Sequence, residues 1–173
     1  MPHGKRTAKI RGLARKARRI RMLLLDVDGV MTDGGLFYSA KGVEMKRFNA
    51  QDGYGVVRAH EHGLKIGIIS GRSTPIVDAR AKVLRVADVY QNAGDKVAVM
   101  REIQSRYGLK DEEIAFIGDD LFDLPLLSSV GFSAAPRNAR PEVKKRVDFV
   151  TTAEGGHGAV REIIDFILGS RTS

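Results

Sequence analysis

The sequence predicts an α/β fold built on a doubly wound, mostly parallel sheet. Three observations carry that expectation. Apolar runs of strand length alternate with longer stretches of helical periodicity along the chain. Several of those runs end in polar residues and glycine, as strands do when they deliver side chains at the C-terminal edge of a parallel sheet. No repeat, low-complexity tract or long linker interrupts the alternation, so the 173 residues read as one domain able to bury a core.

The elements follow in order. Residues 1–21 form a basic leader in which Ile10, Leu13, Ala14 and Ala17 recur at helical spacing. They predict a short amphipathic helix over 7–20, docked on a single domain of residues 22–173. The first strand spans 22–27. Gly34-Gly35 then open LFYSAKGVEMKRF, where apolar and polar residues roughly alternate on both sides of Lys41-Gly42. This reads as a β-hairpin, placed to act as a flap. NAQDGYG at 49–55 reads as a glycine-rich loop opening a helix at about 54–62, which Gly63 ends. Strands are expected at 64–69, 87–90, 114–117, 130–134 and 148–150. Helices are expected at 75–84, 95–107 and 158–168, with a short one after GDDLFDLP (118–125).

Charge narrows the function classes. The net charge of +8 is concentrated in the leader, which carries nine Lys/Arg and no acid. The rest of the chain holds 20 basic and 21 acidic residues, so the body is not basic enough to read as a nucleic-acid-binding domain. The leader reads as a solvated helix, with RNA or anionic-surface binding as its alternative use. No apolar run reaches the roughly 18 residues of a membrane helix, and no signal peptide is visible. There is no cysteine, hence no disulfide, thiolate metal site or cysteine nucleophile. A cytoplasmic enzyme fits this composition.

The chemistry is concentrated in LLLDVDGVMTDG, residues 23–34. An apolar strand ends in Asp26 and Asp28, one residue apart, which alternation along an extended backbone points the same way. Ser70, Lys96 and the pair Asp119/Asp123 also lie just beyond predicted strands or at helix starts. In a parallel sheet such positions converge on one edge. The set suits phosphoryl transfer. Asp26 is a carboxylate nucleophile able to form an aspartyl-phosphate. Asp28 can protonate the leaving oxygen and then deprotonate the attacking water. Ser70 and nearby backbone N–H groups can hold phosphoryl oxygens. Lys96 offsets negative charge, and Asp119 completes a hard oxygen site for Mg²⁺. GDDLFD also resembles half of an EF-hand loop, but it lacks the required glycine and distal glutamate and follows a strand.

The order DVDGVMTDG, ISGR, GDK, GDDLFDLP resembles the haloacid dehalogenase superfamily of phosphatases. FNAQDGYG, SAAPRNARPEV and DFVTTAEGGHGAVREI extend the likeness, over about residues 18–168, to the 3-deoxy-D-manno-octulosonate 8-phosphate (KDO 8-phosphate) phosphatase family. The resemblance implies a haloacid dehalogenase-type sheet with a hairpin flap and no large cap domain. It implies Asp26 as nucleophile, and Asp28 as acid/base and as metal ligand through its backbone carbonyl. Asp119 becomes the second metal carboxylate, with Asp123 supporting the site. Ser70 and Lys96 become the phosphate grip. Substrate contacts map onto Asp28, Asn49, Gln51, Asp52, Gly53, Gly71, Arg72, Arg80 and Lys96. The implied substrate is an acidic sugar phosphate. The implied assembly is a homotetramer in which residues 35–48 and the GGHG run at 155–158 close a neighbour's site. Three positions depart from the family pattern: Gln51 where Arg is common, Val57 where some members carry Arg, and His157 where the tail often has Arg or Lys.

Acylneuraminate 9-phosphate phosphatases look similar, and these motifs do not separate the two substrates. The non-enzyme alternatives are a tetrameric scaffold and an RNA-associated protein using the leader. Deleting residues 1–21 is expected to leave a phosphatase's turnover unchanged and to abolish binding by an RNA-associated protein.

Overall fold

The computed structural model describes residues 11–40 and 44–172. The first ten residues of the leader, which include 7–10 of its expected helix, and the Lys41-Gly42 turn of the hairpin lie outside the described residues. A helix over 11–17 (α1) is followed by the elements of an α/β/α sandwich. The strands are β1 (Met22–Leu25), β2 (Phe37–Tyr38), β3 (Glu44–Met45), β4 (Lys65–Ile69), β5 (Asp88–Tyr90), β6 (Ile114–Ile117), β7 (Phe132–Ala135) and β8 (Phe149–Val150). The remaining helices are α2 (Ala50–Glu61), α3 (Pro75–Val83), α4 (Lys96–Tyr107), α5 (Leu124–Leu127), α6 (Pro141–Lys144) and α7 (Ala159–Arg171). Among the described residues no helix is long and apolar enough to cross a membrane.

The main sheet has the order β5-β4-β1-β6-β7-β8, and every pairing in it is parallel. Chain order reverses direction at β1, which is the switch point where open α/β sheets place their sites. β1 is buried on both faces, and alternation divides its side chains between two cores. Leu23 and Leu25 pack with Ile68, Val56, Ile163 and Ile164 under α2 and α7. Met22 and Leu24 pack with Phe116, Met100 and Ile103 under α4. Each such side chain contributes roughly 1.5–3 kcal/mol by burial, so β1 is held firmly where its end carries function.

Three boundaries differ from the sequence reading for identifiable reasons. β1 stops at Leu25 rather than residue 27, because Asp26 turns the chain (below). α2 begins at Ala50, not near 54: the Asn49 carboxamide oxygen accepts from the N–H groups of Gln51 (2.7 Å) and Asp52 (3.2 Å) and caps it. Gly53 and Gly55 are therefore helix residues chosen for close approach. A Cβ on Gly53 would stand 2.5 Å from Arg80 Nη2, and one on Gly55 would stand 3.2 Å from the Cα of Arg161. α7 runs on to Arg171, past the glycine at 169.

The leader is part of the same core. Ala17 and Ile20 are fully buried, Lys16 pairs with Asp148 at 2.6 Å, and the Arg21 N–H donates to the Glu113 carbonyl at 2.7 Å. Deleting residues 1–21 thus removes core side chains as well as charge, so turnover would not survive that deletion unchanged.

Candidate active site

Register brings the site together. Leu25 of β1 pairs with Ile68 of β4 and with Ile117 of β6. The residues that follow, Asp26, Ser70 and Asp119, emerge at one edge although they are far apart in sequence. The Asp26 carboxylate accepts from the Val27 N–H at 2.7 Å, and the Thr32 N–H donates to the Val27 carbonyl at 3.0 Å to close a wide turn over Val27–Met31. Gly29 sits in that turn at φ +85°, and a Cβ there would lie 2.1 Å from Asp119 Oδ2. Backbone conformation and proximity to a carboxylate both require glycine.

A cleft of about 370 Å³ opens at this edge, with Asp26, Asp28, Ser70, Gly71, Arg72, Lys96, Asp119 and Asp123 among its walls. Lys96, the first residue of α4 after its Asp95 cap, is buried. Its ammonium lies 3.0 Å from Asp26 Oδ2 and 2.7 Å from Asp123 Oδ1. Burial acts against that charge, but Asp26 and Asp123 outweigh it and hold the ammonium's pKa above its ordinary value. Asp123 Oδ2 accepts from the N–H groups of Asp119 (2.9 Å) and Asp120 (3.2 Å). Both oxygens of Asp123 therefore have protein partners: this carboxylate orients Lys96 and shapes the loop. The Ser70 hydroxyl oxygen accepts from the Arg72 N–H at 3.2 Å, leaving its hydrogen to donate into the cleft.

Carboxylate oxygens of Asp26, Asp119 and Asp123 lie within 4.8 Å of one another. Burial and the Asp123 charge push Asp26 up to about 7 against the pull of Lys96. Burial, then Asp26, Asp123 and Asp120, push Asp119 up to about 7 as well. Three carboxylates facing one ammonium leave the cluster short of positive charge. Hard oxygen donors in that state fit a small divalent cation. The Asp28 side chain is not part of the cluster.

Asp28 faces the same cleft and is held by a residue the sequence reading missed. Lys46, just after β3, places its ammonium 2.5 Å from Asp28 Oδ1 and 2.9 Å from Glu44 Oε1. Burial opposes the charge on Lys46, but hydrogen bonds to Asp28 and Glu44 hold its pKa above the usual value. Arg72 lies 4.0 Å from Asp28 and 3.4 Å from Glu44, and donates to the Tyr38 hydroxyl. The hairpin of β2 and β3 thus folds back over the cleft of its own chain. Its period-2 pattern was legible, but nothing in the pattern singles out Lys46.

The remaining expected substrate contacts gather elsewhere. Asn49, Asp52, Gly53 and Arg80 line a small separate pocket behind the α2 start, and Gln51 is exposed. The Asp52 carboxylate accepts from the N–H groups of Gly158 (3.2 Å) and Arg161 (2.8 Å), so it caps α7. Burial raises its pKa against those hydrogen bonds. Arg80 donates to the Asn49 carbonyl at 3.2 Å. Within one chain these residues make a structural node, and they do not reach the Asp26 cleft. The GGHG run is docked on its own chain: Gly156 N–H donates to the Val30 carbonyl at 3.0 Å, and a Cβ on Gly155 would overlap the Gly29 carbonyl oxygen at 1.8 Å. His157 lies 2.8 Å from Arg47, which also holds Asp33 at 2.8 Å.

Comparisons with known proteins agree with this geometry. A profile of the haloacid dehalogenase-like hydrolases matches residues 83–163. The 3-deoxy-D-manno-octulosonate 8-phosphate phosphatase KdsC of Escherichia coli K12 is 39% identical over 153 residues, covering 88% of this chain and 81% of that protein. The crystal structure of the Yersinia pestis 3-deoxy-D-manno-octulosonate 8-phosphate phosphatase superposes with a TM-score of 0.91 at 38% identity, over 92% of this chain and 86% of that one. The Moraxella catarrhalis enzyme, solved with magnesium ion, phosphate ion and KDO, gives 0.91 at 35% identity, over 93% and 92%. With its strand order, aspartate cluster and cleft accounted for, the chain belongs to the haloacid dehalogenase-like hydrolases and, within them, to the 3-deoxy-D-manno-octulosonate 8-phosphate phosphatase family.

Proposed function

We propose that this chain is a Mg²⁺-dependent phosphoric monoester hydrolase that converts 3-deoxy-D-manno-octulosonate 8-phosphate to the free sugar acid and phosphate. The observation that carries the reading is the Asp26 carboxylate, paired with Lys96 at 3.0 Å and clustered with Asp119 at the switch point of the sheet, in a member of this family.

Asp26 attacks phosphorus through a carboxylate oxygen as the bond to the sugar oxygen breaks. Asp28 gives its proton to that oxygen, and the alcohol leaves. Asp28 then takes a proton from water, which attacks the aspartyl-phosphate and regenerates Asp26 with release of phosphate. The Ser70 hydroxyl and the backbone N–H groups beside it hold the phosphoryl oxygens. The Lys96 ammonium offsets their charge in a buried setting, where its effect is large. Arg72, at the cleft mouth, grips the substrate. Asp26 and Asp119, with the backbone carbonyl of Asp28 as the resemblance implies, would hold Mg²⁺, which supplies charge neutralisation of the phosphoryl oxygens when bound.

The test is phosphate release, with Mg²⁺ and with EDTA, from a panel of acidic and neutral sugar phosphates. The panel includes octulosonate 8-phosphate and acylneuraminate 9-phosphate. Preference for the octulosonate supports the reading. Preference for the neuraminate would reassign the substrate, and no Mg²⁺-dependent release from any of them would return the chain to the scaffold alternative.

A homotetramer, with the exposed face of the hairpin turned toward a neighbouring subunit, is the assembly we propose, in the cytoplasm. Exposed Leu36, Phe37, Tyr38 and Met45 on the hairpin support it, since contiguous apolar surface of this kind is typical of contact sites. Light scattering in solution measures that mass directly.

A further inference from the structure

Among the described residues, the Asp28 carboxylate has one hydrogen-bond partner, the Lys46 ammonium at 2.5 Å, with Arg72 at 4.0 Å beyond it. Asp28 stands beside Gly29 on a turn, so its backbone alone does not fix its side chain. Lys46 itself has no freedom to wander. Its side chain is fully covered (0% exposed), and Glu44 holds it at 2.9 Å. Glu44 also reaches Arg72 at 3.4 Å, and Arg72 donates to Tyr38 on the opposite strand. Tyr38, Glu44 and Lys46 of the hairpin and Arg72 of a cleft loop thus form one network, and Lys46 is its member within hydrogen-bond distance of the carboxylate that must move a proton. Among the described residues the two strands pair Phe37 with Met45 and Tyr38 with Glu44. A two-stranded hairpin is marginal on its own, and the covered ion pairs help to seat it.

We propose that Lys46 is the positioning residue of the acid–base group: its ammonium aims the Asp28 carboxyl at the leaving oxygen, and Glu44 anchors that ammonium. This rests on the phosphatase reading above. In the step concerned, the Asp26 oxygen–phosphorus bond forms, the phosphorus–sugar oxygen bond breaks, and the Asp28 proton passes to the departing oxygen. Hairpin seating and proton delivery are then one device. A lysine that merely pinned the hairpin would affect all substrates alike. One that aims Asp28 affects substrates whose leaving oxygen needs a proton.

The experiment compares kcat/KM for the best sugar phosphate of the panel with kcat/KM for p-nitrophenyl phosphate, whose leaving group departs without protonation. This constant reports steps up to formation of the aspartyl-phosphate, so it isolates the acid role. Lys46→Met is expected to lower it about a hundredfold on the sugar phosphate and less than about tenfold on the aryl phosphate. Lys46→Arg should recover most of the difference. Glu44→Gln, which keeps the ammonium but removes its anchor, should show the same bias at smaller size, and it serves as the test if Lys46→Met does not fold. Equal losses on the two substrates, or no loss on either, would overturn the proposal. The wild-type arm separates the two readings: no metal-dependent turnover of any sugar phosphate defeats the phosphatase reading, whereas turnover without the leaving-group bias in the variants defeats only the role of Lys46.

Discussion

The Lys96 ammonium lies 3.0 Å from Asp26 and 2.7 Å from Asp123, and it is the one buried cation of the aspartate cluster among the described residues. One ammonium cannot balance three carboxylates: burial first, and then the neighbouring carboxylate charges, raise the affinity of Asp26 and Asp119 for protons, and the same shortage of positive charge suits a divalent cation.

Asp26→Asn keeps the shape of the side chain but supplies an amide that does not attack phosphorus. Turnover should fall by at least about a thousandfold, as when other enzymes lose their nucleophile. The same change removes a like charge from the cluster, so the metal-free variant should melt no lower than the metal-free wild type. Steady-state phosphate release and thermal melts of both proteins check the pair of outcomes.

Metal and protons compete for this cluster. Folding lifts Asp26 and Asp119 from 3.8 to about 7, so between those values the folded chain holds protons that the unfolded chain has released. The stability that these two groups contribute to the metal-free protein is therefore fully present below about 3.8 and is lost as pH rises through about 7. Mg²⁺ stands in for those protons. The gain in melting temperature on adding Mg²⁺ should be small near about pH 5.5 and reach several degrees near about pH 8. A gain independent of pH would count against the cluster as the metal site.

The sequence was most informative where one residue type had one physical use. Asp26 and Asp28 stood out because two carboxylates end a buried strand. Asp119 and Lys96 followed because parallel strands share an edge. Lys46 was hidden because alternation along 35–48 predicts a hairpin without saying which of its side chains swings back over the site. The glycines at 53 and 55 misled because a glycine that admits a neighbour reads, without its neighbour, like a glycine that makes a loop. Asn49, Asp52 and Arg80 came from resemblance alone. The structure uses Asn49 and Asp52 to cap α2 and α7, and Arg80 to brace the Asn49 carbonyl.

Arg72→Ala should act mainly on binding, because Arg72 sits at the cleft mouth, pairs with Glu44 and Tyr38, and lies 4.0 Å from Asp28, beyond hydrogen-bond distance. One charged hydrogen bond contributes about 1.5–3 kcal/mol, so KM should rise roughly 10- to 100-fold with kcat changed far less. A loss confined to kcat would refute that placement.

Gly155→Ala puts a methyl group where the Gly29 carbonyl oxygen already stands, a backbone-to-backbone overlap with nothing flexible to yield. The turn carrying Asp28 must shift. Stability should drop by about 1–3 kcal/mol, with kcat falling as well. A denaturant melt and kcat on the same preparation measure both, and wild-type values in each would show that the tail does not brace the turn.

Leader charge and leader packing are separable. Truncation through residue 21 strips Ile20 and Ala17 from the core and should cost about 2–5 kcal/mol or more. Arg15→Gln with Arg19→Gln, both exposed positions, should leave stability and turnover unchanged. Loss of phosphatase activity in that double variant would give the leader's charge a role in turnover.

In the proposed reaction Asp26 carries the phosphoryl group during turnover. Acid quenching of the enzyme while it turns over substrate with Mg²⁺, followed by peptide mass spectrometry, tests it directly. The expected result is a phosphoryl group on the peptide containing Asp26, absent from Asp26→Asn. Phosphate release at the wild-type rate with no phosphoryl group on the protein, or undiminished turnover by Asp26→Asn, would contradict it.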